Sequence, residues 1–154
     1  MNELPTLDAI SIKGPLPGPK TLALLAESKK YEPRSMSEHV AIAWDRGERC
    51  YVQDADGNVF LDLTSGVLVA NAGHSHPRLV KALVEQVRKV VNSYDDVNEF
   101  RPKLCKKLVE LTPPNLEKAF ILSTGSEATE AAIKLARLYT GRKEIISFQG
   151  GFHG

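Results

Sequence analysis

Apolar side chains recur at Leu79, Val80, Leu83, Val84, Val87, Val90 and Val91, spaced to fall on one stripe of an α-helix. The spacing predicts a helix over 77–91, with Pro77 suited to its first turn. Leu104, Leu108 and Leu111 predict a second amphipathic helix over 102–111, stopped by Pro113 and Pro114. Both read as packing elements. Earlier in the chain, 40–44, 50–54 and 59–63 are short β-rich runs, and Asp56-Gly57 supplies the positive φ of a tight hairpin turn. A small antiparallel sheet is expected there. A short helix over 21–30 precedes it, entered through Gly14-Pro15-Leu16-Pro17-Gly18-Pro19, whose prolines delete backbone donors and predict an extended arm.

The pattern changes after residue 118. Segments 119–122 and 144–148 are continuous apolar runs flanking a helical stretch, 126–139, which Gly141 is placed to cap in a left-handed conformation. Strands without polar alternation fit a parallel sheet covered on both faces, so this portion is expected to be a right-handed βαβ unit. Two strands leave such a sheet incomplete. The chain is therefore expected to be the front part of a longer protein, or to draw its missing sheet edge from elsewhere.

Composition adds limits. The chain has 154 residues, 42% hydrophobic and 25% charged, within the range of an ordinary globular domain. Twenty basic against nineteen acidic residues give a formal charge of +1, which excludes nucleic-acid or anionic-membrane binding by bulk charge. No apolar run approaches the roughly 18 residues of a membrane span, and the N-terminus lacks a secretory pattern, so a cytoplasmic chain is expected. Cys50 and Cys105 have no ligand or disulfide spacing and are expected to be buried or half-buried thiols. His74 and His76 have no acidic or Cys companion in sequence and read as turn-fixing residues instead of a metal pair.

Candidate chemistry lies in Ser123-Thr124-Gly125-Ser126-Glu127-Ala128, where strand is expected to become helix. Such a turn aims free N–H groups and the positive helix end at one point, and Gly125 lets an anion approach the backbone. With no Lys or Arg in the loop, a monophosphate fits better than a triphosphate. Thr124 or Ser126 serving merely as the helix cap is the competing reading. Glu130 and Lys134 are spaced as an i,i+4 ion pair. Gly150-Gly151-Phe152-His153-Gly154 is expected to leave the same sheet edge, setting an aromatic residue beside the anion site.

In order and wording, several motifs resemble the N-terminal part of class III aminotransferases, including 4-aminobutyrate, ornithine and acetylornithine transaminases. They are Asp54-Ala55-Asp56-Gly57-Asn58 with Leu61-Asp62, Ser65-Gly66-Val67, Gly73-His74-Ser75-His76-Pro77, Thr124-Gly125-Ser126-Glu127-Ala128 with Lys134-Leu135-Ala136-Arg137, and Gly151-Phe152-His153-Gly154. The resemblance implies an α/β protein of fold type I, the pyridoxal-phosphate-dependent transferases. Residues 1–76 would form an N-terminal arm and small sheet, and 77–154 the start of the large parallel-sheet domain. It implies pyridoxal 5′-phosphate as cofactor, with its phosphate on Gly125 and Ser126, Phe152 stacked on its ring, His153 beside it, and Val67 lining the substrate pocket. It also implies transfer of an amino group from an amino acid to a 2-oxo acid by a homodimer, with the essential Lys later in the chain, so these residues alone are expected to be inactive. A same-fold racemase or aminomutase, or a non-catalytic anion-binding module, remains the alternative.

Overall fold

The computed structural model describes residues 6–33, 35 and 40–154, and the chain divides into two compact units between Val91 and Asn92. In the first, α1 (Pro19–Tyr31) is followed by β1 (Trp44–Glu48), β2 (Tyr51–Asp54) and β3 (Val59–Leu61), a three-stranded antiparallel sheet in that order. The hairpin turn falls where Asp56-Gly57 predicts it, with Gly57 at φ 86°. β1 begins at Trp44, at the end of the apolar run over 40–44, and its pairing with β2 shifts register between Trp44 and Arg46. Apolar character alone misplaced this strand, because Trp44, Arg46, Gly47 and Glu48 are the residues that find partners on β2.

The hairpin loop is organised by a carboxylate. Asp54, 2% exposed, accepts from the amides of Asp56 (3.0 Å) and Asn58 (2.7 Å) and from the Asn58 side chain (2.8 Å). Asn58, itself 1% exposed, passes the network outward by accepting from the Lys13 amide at 2.8 Å. Ser11 and Val59 exchange backbone hydrogen bonds, so the arm is tied along the open edge of β3. Leu7, Val52 and Val59 are the buried apolar side chains beneath it.

The arm ends in a helix capped from outside. Gly18 is the N-cap of α1 and offers no side-chain bond, but Asp56 in the hairpin turn accepts from the amides of Lys20 (2.9 Å) and Thr21 (2.8 Å). Burial pushes the Asp56 carboxyl up, yet the Thr21 and Lys20 amides outweigh it and hold the group below its ordinary range. Gly18 has a steric reason: any Cβ there would overlap the Asp56 carboxylate.

Helix α3 (Pro77–Val87) completes the first unit, and α4 (Phe100–Leu111) and α5 (Gly125–Thr140) make up the second. His76 N-caps α3 by accepting from the Arg78 amide at 3.3 Å, while Gly141, at φ 70°, closes α5 in the expected left-handed conformation. The apolar stripe of α3 is present but uncovered, with Leu83 65% and Val87 59% exposed. The expectation that α3 packs is therefore not met among the described residues. The expected strands at 119–122 and 144–148 are absent too. A strand exists only through a neighbour that takes its backbone hydrogen bonds; these segments have none here, and Ile146 and Phe148 are almost fully exposed. No parallel pair forms among the described residues. Cys105 is half-buried, but Cys50 is exposed, contrary to expectation, because it sits at the turn between β1 and β2. No described helix is long and apolar enough to cross a membrane.

Replacing Asp56 by Ala is expected to speed amide exchange at Lys20 and Thr21 several-fold while β1–β2 amides keep their protection, read by residue-resolved hydrogen exchange. Equal loss of protection in the sheet would show that Asp56 holds more than the arm.

Candidate functional site

Thr124, extended at φ −139° and ψ 161°, is the N-cap of α5, and its hydroxyl accepts from the Glu127 amide at 3.1 Å. Glu127 reaches back in turn, accepting from the amides of Ser123 (2.9 Å) and Thr124 (3.2 Å) to complete a capping box. The cap thus falls on Thr124, not Ser126. The Gly125 and Ser126 amides, the first two of the helix, have no acceptor among the described residues, and the Ser126 hydroxyl has no partner. Three donors are unspent at the positive end of a sixteen-residue helix.

The segment after 148 returns to this point. A Cβ on Gly125 would meet Gly154 Cα at 3.2 Å and its carbonyl oxygen at 3.4 Å, so the two loops converge with only glycine between them. His153 Nε2 lies 3.1 Å from Glu130 Oε1, one helical turn into α5. Glu130 is committed to that contact, and the expected i,i+4 pair with Lys134 does not form. The Phe152 ring is 97% exposed, with both faces open. Gly125, Ser126 and His153 are brought together around the start of α5, while Phe152 stands free beside them.

Val67 belongs to the first unit and occupies an unusual backbone. Residues Ser65–Leu68 (α2) have φ of 52°, 58°, 61° and 66°, a single left-handed helical turn closed by hydrogen bonds from the amides of Leu68 to Thr64 and Val69 to Ser65. Each non-glycine residue in that conformation costs roughly 1–2 kcal/mol, and β-branched Val67 is among the least tolerant. The Val67 side chain is 82% exposed. The turn sits on a loop whose two ends meet: His74 Nε2 lies 2.7 Å from Asp62 Oδ2, and His74 exchanges backbone hydrogen bonds with Arg49. Asp62 Oδ1 meanwhile accepts from the Thr64 amide and hydroxyl, both at 2.8 Å, and from the Ser65 amide at 3.0 Å.

The Asp62 side chain is 3% exposed, and the hydrogen bond from His74, then that from Thr64, bring its carboxyl from 3.8 down to about 2 despite burial. A carboxylate only accepts, so His74 Nε2 carries the shared proton. The imidazole stands edge-on to Trp44, ring centroids 5.6 Å apart, in a space that requires Gly47; a Cβ there would come within 2.7 Å of the ring. Sequence reasoning noted Leu61-Asp62 and Gly73-His74 as separate motifs and gave neither Asp62 nor this pairing a role. Eleven intervening residues hid the contact; an acid at the end of a strand and a His after a glycine were its only trace.

The sequence model described as Aminotransferase class-III matches residues 33–154. The chain is 39% identical over 125 residues to the 5-aminovalerate aminotransferase DavT of Pseudomonas putida, covering 79% of this chain and 29% of that protein. It is 38% identical over 144 residues to the glutamate-1-semialdehyde 2,1-aminomutase of Methanopyrus kandleri, covering 88% of this chain and 33% of that one. A solved omega-transaminase from Sphaerobacter thermophilus superposes with a TM-score of 0.80 at 30% identity, over 90% of this chain and 32% of the other. The chain thus spans about a third of the length of the proteins it matches.

Two outcomes follow from the site's own bonds. Thr124→Ala is expected to destabilise α5 by about 1 kcal/mol, the usual cost of a lost cap, read from the urea unfolding midpoint. Because the Asp62 carboxyl is depressed when folded, the stability it contributes is complete above 3.8 and disappears as pH falls through about 2. The difference in stability between the wild type and Asp62→Asn should therefore shrink over that interval and stay constant above it.

Proposed function

The chain belongs to the class III aminotransferases and has the fold of the N-terminal part of these fold type I enzymes, and from that premise we propose that it is the cofactor-gripping front of a transaminase. In this reading residues 1–76 are the arm and small sheet, and 77–154 open the large domain of the complete protein. The observation that carries it is the set of unspent donors at the start of α5: the Gly125 and Ser126 amides and the Ser126 hydroxyl. They suit the phosphate of pyridoxal 5′-phosphate, a dianionic ester that needs several N–H and O–H donors and little else.

The division of labour follows from what each residue has free. Gly125 and Ser126 bind the phosphate through their amides and the Ser126 hydroxyl, while Gly154 packs where a Cβ at 125 would lie. Phe152, whose ring is open, supplies the stacking face, and His153 orients against it while its Nε2 is steadied by Glu130. Thr124 and Glu127 keep the first turn of α5 rigid and leave its leading amides unbonded. Val67 contacts the substrate through a side chain that its left-handed turn pushes outward. The bound cofactor would supply a pyridine ring that withdraws electrons from the substrate's amino-bearing carbon.

The reaction assigned is transfer of an amino group from an amino acid of the 4-aminobutyrate or ornithine type to a 2-oxo acid such as 2-oxoglutarate, by a cytoplasmic homodimer. The similarity to an aminomutase, which extends over more of the chain than that to the aminovalerate transaminase, keeps intramolecular amino-group movement as the second reading.

The test uses the full-length protein that contains these residues. Ser126→Glu, which sets a carboxylate where the phosphate is assigned, is expected to weaken pyridoxal-phosphate retention on dialysis by about tenfold or more, followed through the absorbance of the bound cofactor. Unchanged retention would overturn the phosphate assignment. Product analysis with 4-aminobutyrate, ornithine and 5-aminovalerate plus 2-oxoglutarate should give glutamate; an isomerised amino acid with no glutamate would favour the second reading.

A further inference from the structure

Four consecutive residues in a left-handed turn, two of them Val67 and Leu68, persist only where surrounding bonds over-determine the backbone. The loop from 62 to 74 presents Leu63, Val67, Leu68 and Val69 to solvent at 76–85% exposure, so burial of its own apolar side chains does not hold it. What does hold it is polar and sits at its base. Asp62 Oδ1 gathers the Thr64 amide and hydroxyl and the Ser65 amide at the entry to the turn. Asp62 Oδ2 is bound to His74 at 2.7 Å, and His74 is pinned by its backbone to Arg49 and by its ring against Trp44 in the space Gly47 leaves. Within the loop, Asn71 Nδ2 donates to the Leu68 carbonyl at 2.9 Å, closing the exit of the turn.

We propose that Asp62 and His74 are positioning residues that clamp the loop base and so set where the left-handed turn delivers Val67 to the substrate. The inference rests on the assignment of Val67 as a substrate contact. The division between the two residues is specific. Asp62 fixes the backbone entering the turn, while His74 orients the carboxylate so that Oδ1 faces the amides. Loss of His74 frees the Asp62 carboxylate to rotate, and the entry bonds then compete with water. A group acting this way changes where a substrate side chain is met, without changing how the phosphate is held.

The experiment is done on the full-length holoenzyme with three variants, His74→Ala, His74→Gln and Asp62→Ala. The Gln amide can present an N–H near the position of Nε2 and so restore the bond to Asp62. For His74→Ala and Asp62→Ala, the KM for the amino donor is expected to rise by about tenfold or more, with kcat falling far less. His74→Gln should recover most of the loss. Hydrogen exchange should speed up in the peptide spanning 64–71, where the Leu68, Val69 and Ala70 amides close the turn, and stay unchanged in the β1–β2 strands. Pyridoxal-phosphate retention should match the wild type. Unchanged exchange at 64–71 in both Ala variants would overturn the clamp. So would equal loss of protection throughout the sheet, or a loss that Gln does not recover. Accelerated exchange confined to 64–71, with KM unmoved, would leave the clamp standing and refute Val67 as the substrate contact. If the wild type turned over no amino donor, the exchange data alone would still decide the clamp, and the transaminase reading would fall separately.

Discussion

The Asp54 carboxylate sits at the centre of the hairpin loop, nearly sealed from solvent, and three donors from Asp56 and Asn58 converge on it. A buried polar group so placed tolerates burial only while those donors stay in place. It therefore dictates the loop's conformation, and the loop's conformation dictates what lies around it. Asp56 is turned out toward the start of α1, and Asn58 is turned toward Lys13, so one hairpin turn fixes both the arm and the helix that follows. The three apolar side chains buried among the described residues would hold this arrangement weakly; the carboxylates give it a single geometry.

The same device recurs where β3 ends. Asp62 collects amides at the beginning of the next loop much as Asp56 does at the beginning of α1, but it also answers to His74 at the loop's far end. In each case an aspartate just beyond a strand accepts backbone amides at the start of an element, Asp56 those of α1 and Asp62 those of the loop it opens. The sheet is thus a small platform whose acidic rim organises its surroundings, and the stiffness needed to hold a left-handed turn comes from hydrogen bonds instead of packing. In the second unit the equivalent work falls to Thr124 and Glu127, which satisfy their own helix and leave Gly125 and Ser126 unsatisfied. Reciprocal capping holds the first turn of α5 in place while that pair of amides stays unbonded.

Much of this was legible where the cause is local. The Asp56-Gly57 turn, the stops of α4 and α5 and the left-handed cap at Gly141 are each decided by residues within a few positions, and pattern reading found them. The parallel strands over 119–122 and 144–148 depend on neighbours that the sequence pattern cannot supply, so their apolar character predicted a state that does not form here. The start of α5 was readable as a helix N-terminus with hydroxyls to cap it, but which hydroxyl caps and which stays free depended on whether Thr124 or Ser126 adopts an extended backbone. The Asp62–His74 contact was unreadable for another reason: it depends on a slot opened by a glycine in β1, far from both in sequence. The left-handed turn itself runs against propensity at Val67, and nothing local announces a conformation that only distant bonds enforce.

At position 67, shape and backbone strain are coupled. A designer wishing to reshape this part of the molecule finds ample room, since the side chain projects into the open. Exchanging Val67 for Ile keeps the tension in the backbone, while Gly or Asn releases it because both accept a positive φ readily. Remodelling the residue for a new guest and making the protein sturdier are consequently a single choice, and a library built at this codon will sort for both traits at once.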